Sequence, residues 1–317
     1  MKRAVALMVT LGVLVLMLLL PTGCKKQTSL KVGILYDEEA LPAYVAQQEG
    51  LFQKNGVDVQ LLPFRSAAER DSAIQSGGVD GAEGDLIAVA LLNNGGFPVK
   101  AVSVALGAKP EEGRFYILAA PNTFNKVEEI KGKTIAISKN TIIDFLADQM
   151  LSAKGINPDQ VQKEYIPNMP MRLQMLLDHK VDAALLPDPL ASMAIVKGAA
   201  VLVDKSKLPV ILSQSVLFFR DDALKTKSSA TKGFLQAYGQ AEQEIDKNPD
   251  SYRQLFYEKI NVPKEVQSSI PVPSFSPEQL PSQENVQLVL DWMIKKKLLS
   301  KNLSYSDLVS DQLVSAK

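Results

Sequence analysis

Cysteine is almost missing: Cys24 is the only one in 317 residues. That excludes a disulfide framework and a thiolate metal cluster. Histidine is equally scarce, with His179 alone, so no multi-histidine metal site can be built, and neither a metal nor another cofactor is expected. Aromatic residues make up 6%, too few for a rich stacking cage. Net charge is also lacking, with 35 basic residues against 35 acidic ones and a pI near 6.6. A chain this neutral has no electrostatic case for nucleic acid. Past Leu20 no apolar run is long enough to span a bilayer. There is no G-x-S-x-G elbow, and a Ser-His-Asp hydrolase would need His179 as its base. His179 sits in the polar turn Asp178-His179-Lys180, which reads as surface. Glu83 and Asp85 form a carboxylate pair of the kind glycosidases use, but the repeat described below makes that remote, and no enzyme is expected.

What is present begins with a basic start, Met1-Lys2-Arg3, then an apolar run from Ala4 to Leu20, then Pro21-Thr22-Gly23-Cys24 and polar Lys25-Lys26-Gln27. This is the layout of a secretory signal. A cysteine directly after small residues resembles a bacterial lipobox, with Pro21 where leucine is usual. The expectation is a signal peptide over 1–23 and a lipidated Cys24 opening a linker over 24–30. Removing Lys2 and Arg3 with the signal leaves 33 basic against 35 acidic residues. The remaining length suits two domains of ordinary size, and 46% hydrophobic content is ample for their cores.

The body repeats itself. Lys31 to Leu35 reads as a strand, Leu41 to Lys54 as a helix, and Val57 to Leu62 as a second strand. Ser66-Ala67-Ala68-Glu69 is a capping-box start to a helix ending near Ser76, and Asp85 opens an apolar helix to Asn93. About one hundred residues later the pattern returns. Thr134 to Ile137 is a strand, Thr141 starts a helix ending near Lys154, and Val161 to Ile166 is a weaker strand. Pro170 to Leu177 is a helix, and Asp188-Pro189 opens another to Val196. Asp80 pairs with Asp182, and Asp85 with Asp188. That spacing is far too long for a solenoid and predicts two similar α/β lobes with parallel sheets and right-handed crossovers. The strands at Arg114 to Pro121 and Ser213 to Arg220 are the expected crossings. Lobe 1 is expected over 31–121 plus 216–317, and lobe 2 over 122–215. Helices over Thr231 to Lys247, Pro249 to Lys259 and Glu284 to Leu299 should pack back on lobe 1, with a Pro-rich loop from Ile270 to Pro281.

Four stretches resemble a known family: Tyr44 to Val57 (YVAQQEGLFQKNGV), Gly78 to Ala82 (GVDGA), Val127 to Ile137 (VEEIKGKTIAI) and Val181 to Ala191 (VDAALLPDPLA). They are similar to blocks in substrate-binding proteins of ABC importers, of the group that handles sulfonates, nitrate, taurine and thiamine-precursor pyrimidines. The resemblance covers most of the chain from Lys31 to about Lys247. It implies a type II periplasmic-binding-protein fold, a clamp of two lobes that closes on a small ligand, and partnership with an ABC permease and ATPase. A lipid on Cys24 would tether such a monomer to the outer face of a bacterial membrane. A related branch makes a pyrimidine with a histidine and a cysteine-rich iron site, for which this chain lacks the residues.

In such a clamp, ligand contacts lie just past the strand ends. In lobe 1 this selects Tyr36, Asp37 and Glu38, then Arg65 and Ser66, then Glu83 and Asp85. In lobe 2 it selects Ser138, Asn140 and Thr141, then Asn168, then Asp188. Tyr36 is placed to stack on a flat ligand. Asn140-Thr141 at a helix start is placed to hold an anionic group through backbone amides. The same positions have plainer uses. Asp85, Asp188, Ser66 and Thr141 suit helix caps, and Pro189 suits the first helical position. Arg65 and Arg114 can pair with nearby acids. Asp37, Glu38, Glu83, Asp85 and Asp188 outnumber Arg65, Arg114 and Lys139. The expected ligand is therefore neutral or cationic, such as an amino-substituted heterocycle. A binder of an alkanesulfonate, nitrate or similar anion is the alternative, as is a ligand-sensing lipoprotein serving a membrane receptor.

Overall fold

The computed structural model describes residues 29–212 and 214–313. The expected signal and Cys24 lie outside the described residues. Among those residues, no helix is long and apolar enough to cross a membrane.

Ten strands make two five-stranded sheets. In chain order they are β1 (Ser29–Ile34), β2 (Asp58–Pro63), β3 (Gly81–Asp85), β4 (Val99–Leu106), β5 (Phe115–Ala119), β6 (Thr134–Ile137), β7 (Gln162–Tyr165), β8 (Ala183–Pro187), β9 (Ala200–Asp204) and β10 (Ser215–Arg220). The first sheet has the order β2-β1-β3-β10-β4 and the second β7-β6-β8-β5-β9. In each, four strands run one way and the fourth in the order runs against them. The all-parallel expectation is thus corrected: the two crossing strands, β5 and β10, enter their sheets reversed. The chain leaves the first sheet at 107–114, before β5, whereas the segment 114–121 was expected to close lobe 1. Phe115–Ala119 is a short apolar run that suits a central strand in either sheet, so only its pairing with β8 and β9 assigns it.

The helices are α1 (Leu41–Gln48), α2 (Leu51–Lys54), α3 (Ala67–Gln75), α4 (Leu86–Asn94), α5 (Ile142–Ala153), α6 (Met169–Leu177), α7 (Leu190–Val196), α8 (Asp221–Thr226), α9 (Ser228–Lys247), α10 (Arg253–Lys259), α11 (Gln283–Lys295) and α12 (Tyr305–Leu308). The single helix expected over 41–54 is split because Gly50 adopts φ +65°, a left-handed turn that glycine enters without a Cβ penalty. Ser66, Asp85, Thr141 and Asn168 each cap the helix that follows them. Asp188 sits one residue further out than expected, because Pro189 takes the cap position of α7, yet its carboxylate still accepts the Ser192 amide at 2.9 Å.

The repeat is visible in hydrogen bonds. Asp80 accepts the Lys31 amide at 2.9 Å, and Asp182 accepts the Thr134 amide at 2.8 Å. These turn acids tie the third strand of each lobe to the first. In lobe 1, α1, α9 and α10 pack on β1 and β10, with Phe52 stacked on Phe234 at 5.5 Å. The C-terminal helix α11 does more than pack back on lobe 1. It lies against α4, and its Trp292 meets Phe145 of α5 edge-on at 5.6 Å. The Trp292 indole N–H donates to Asp148 at 2.9 Å, and Lys296 pairs with the same carboxylate at 2.8 Å. A continuous apolar core therefore runs from α4 through α11 to α5, tying the lobes behind the cleft.

Candidate ligand cleft

The carboxyl ends of the parallel strands in both sheets face one another across a cleft. Asp37, Glu38 and Glu39 follow β1, and Asp85 closes β3. Ser138 and Thr141 follow β6, Met169 follows β7, and Asp188 follows β8. Apolar walls come from Leu35, Leu106, Phe115, Ile142 and Ile143.

Two contacts join the lobes at the cleft. Arg114, just before β5, donates from Nε to Glu38 of lobe 1 at 3.0 Å and pairs with Asp188 of lobe 2 at 3.1 Å. Burial pushes the Glu38 carboxyl up to about 7, outweighing the Arg114 guanidinium, and the Asp188 charge adds to the rise. Asp85 is shared in the same way. One oxygen caps α4 through the Ala88 amide at 2.8 Å, and the other accepts the Ile142 amide of α5 at 3.3 Å. Burial raises its pKa in spite of Arg70 and these amides.

Beneath the cleft three carboxylates converge. One oxygen from each of Asp37, Glu39 and Glu83 lies within 4.8 Å of the other two. Glu83 is 0% exposed. Neither of its carboxylate oxygens has a hydrogen-bond partner, nor does Oδ1 of Asp37. Buried polar atoms seldom go unpaired, so Glu83 and Asp37 Oδ1 lack a donor, whereas Ser215 hydrogen-bonds the Glu39 side chain. Burial first, then the neighbouring carboxylates, hold Glu39 and Glu83 well above the usual carboxylate range and Asp37 at about 7. Such an oxygen-only set would also fit a hard metal ion.

The guanidinium donors of Arg70 and Arg172 are committed. Arg70 is fully buried, with Nη2 on Asp71 at 2.8 Å and Nη1 on the Glu83 carbonyl at 3.0 Å. A Cβ on Gly84 would stand 2.6 Å from that Nη1, so only glycine leaves Arg70 its seat. Arg172 spends its guanidinium on the carbonyls of Ile166, Leu185 and Pro167. Burial alone lowers it to about 10. At the start of α5 the Asn140 amide goes to Asp144, the Ile142 amide to Asp85, and the Ile143 amide to Thr141 Oγ1. That helix end, expected to be open to an anion, is already filled.

Of the twelve residues singled out from sequence, Asp37, Glu38, Asp85, Ser138, Thr141 and Asp188 line the cleft. Glu83 lies just beneath. Tyr36 is half-buried near Tyr44 and does not line the cleft. Arg65 is exposed and gives its amide to Glu69 at 3.1 Å. Ser66 and Asn168 serve as caps, and Asn140 takes the left-handed turn before Thr141, at φ +57°. Sequence reasoning missed Glu39, Arg70 and Arg172. A signal existed for the arginines: each lies four residues after a helix cap, Ser66 or Asn168, at matching points of the repeat.

Three comparisons bear on this geometry. Residues 38–252 match the profile of the family described as NMT1/THI5 like. The chain is 24% identical over 305 residues to a putative thiamine biosynthesis protein of Haemophilus influenzae, covering 92% of this chain and 94% of the relative. Among solved structures, the ligand-binding component of an ABC-type import system from Staphylococcus aureus, with zinc bound, superposes with a TM-score of 0.78. It is 14% identical and covers 90% of this chain and 98% of its own. The alkanesulfonate-binding protein SsuA of Xanthomonas axonopodis pv. citri, bound to MOPS, gives 0.76 at 17% identity, covering 89% and 98%. At these identities the structural likeness is one of fold.

Proposed function

The chain belongs to the NMT1/THI5-like family, and from that membership we propose that it is an extracytoplasmic solute-binding protein serving an ABC importer. It holds a small ligand between its lobes and hands it on unchanged to a permease and ATPase, without catalysis. Cys24 carries the lipid that keeps the monomer at the membrane. The ligand is neutral or cationic, an amino-substituted heterocycle being the type. The import reading is supported by the likeness in fold to two binding proteins named for import or ligand capture. A relative named for thiamine biosynthesis supports a nitrogen heterocycle.

One observation carries the ligand class. The cleft's arginines and helix-end amides are already bonded, while buried oxygens of Asp37 and Glu83 are unpaired. A site that offers acceptors and withholds donors favours a ligand that brings N–H groups or positive charge. A sulfonate would need donors, and those of Arg70 and Arg172 are spent elsewhere.

The test is a thermal-shift screen against anions, amino acids, polyamines and amino-bearing heterocycles, since a ligand selective for the folded state raises the midpoint by mass action. A heterocycle or cation should raise it, and the double variant Glu83→Gln/Asp85→Asn should lose that response. A shift with a sulfonate, or unchanged affinity in the double variant, overturns the ligand class.

A further inference from the structure

We propose that Asp37, Glu39 and Glu83 form a seat for one primary ammonium group, so that the ligand is a primary amine with an apolar body. This rests on the reading of the cleft as a donor-hungry binding site and names the donor.

The first support is shape. An ammonium group carries three N–H donors. Acceptors about 2.8 Å from one tetrahedral nitrogen stand roughly 4.6 Å apart. Three separate carboxylates here bring one oxygen each within 4.8 Å of the others. The second is vacancy of partners. Glu83 is 0% exposed with both oxygens unpaired, and Asp37 Oδ1 is likewise unpaired. Arg70 is close enough to act on all three carboxylates. Its donors, however, point to Asp71 and to the Glu83 carbonyl. No other cation of the described residues is bonded to the three.

The third support is what surrounds the seat. A quaternary ammonium has no N–H and is held by aromatic faces, but among the described residues Phe115 is the only aromatic lining the cleft. Calcium and magnesium would fill the rest of a six-oxygen shell with water, so a metal ion on the same three carboxylates is the competing occupant that the manganese arm tests. Leu106, Phe115, Ile142 and Met169 leave an apolar space above the seat for the rest of the ligand.

The experiment is a calorimetric titration of the full chain with benzylamine and its N-methyl, N,N-dimethyl and N,N,N-trimethyl derivatives, with manganese chloride and an alkanesulfonate as separate arms. Affinity should fall with each methyl, at least tenfold from primary to quaternary. Glu83→Gln should weaken benzylamine binding tenfold or more, and Glu39→Gln serves as the second variant should the first fail to fold. Equal binding of the trimethyl compound, or no binding by any amine, overturns the seat. So does manganese binding that depends on Glu83 while the amines stay silent. An uncharged amino heterocycle binding without any amine response sinks the seat and spares the proposed function. Binding confined to the sulfonate sinks the ligand class itself.

Discussion

Arg114 is the residue that both lobes share at the cleft. Its guanidinium stands between Glu38 and Asp188, and both acids are buried, at 4% and 2% exposure. Removing it strands two carboxylates out of water, and breaking a buried pair from one side costs about 3 kcal/mol. Arg114→Met should therefore lower stability by about that much in urea denaturation at pH 8. The loss should be smaller near pH 5, because Glu38, already raised to about 7, then sheds its charge by taking a proton. An equal loss at both values would mean that the ion pairs are not the cause. From sequence, Arg114 is a partner for nearby acids. Which acids it meets depends on two lobes being brought together, and no local pattern carries that.

At the level of elements, α4 and α5 share one cap. Asp85 serves the Ala88 amide of its own helix and the Ile142 amide of the opposite lobe. The sequence identified Asp85 as a cap because an acid before an apolar helix satisfies amides that the helix leaves open. Its second bond was not legible, since Ile142 lies 57 residues away. An asparagine keeps one acceptor oxygen and turns the other into a donor, so Asp85→Asn can serve one helix and not both. It should lower the urea midpoint by an amount equal to about 1 kcal/mol, and Asp85→Ala by about 2 kcal/mol. An asparagine variant as stable as the parent would show that the bond across the cleft contributes nothing.

Across the whole molecule, raised carboxyls set the pH profile. Asp37 and Glu38 rise from 3.8 and 4.5 to about 7, and Glu242, buried beside Glu278 and Asp246, rises from 4.5 to about 9. For each, the folded chain keeps a proton that the unfolded chain has already lost. Stability therefore falls as pH climbs from the unfolded values through 7, and toward 9 for Glu242. Asp148 and Asp182 are shifted the other way, by Lys163, Lys296 and Trp292 for the first and by Thr134 for the second. Their contribution is present above 3.8 and fades below it. The ligand-free protein should thus melt highest near pH 5, and lower at pH 8, in thermal scans in the absence of ligand. A flat profile between pH 5 and 8 would count against the buried carboxyl floor. A bound cation should reverse the slope, since it favours the charged carboxylates.

The order of most strands and helices, the caps at Ser66, Asp85 and Thr141, and the offset of about one hundred residues between lobes were set by the sequence itself, whereas the strands Val99–Leu106 and Ala200–Asp204 and the cap at Asn168 were not read from it. The former depend on hydrophobic period and on hydrogen bonds spanning two to four residues, so a linear reading reaches them. Tertiary structure alone decided that β5 joins the second sheet, that α11 ties α4 to α5, and that Glu39, Arg70 and Arg172 join the expected Glu83 at the cleft. Strand pairing and desolvation are properties of neighbours distant in the chain. A carboxylate such as Glu83 looks like any other acid until sheets and helices close around it and remove its water.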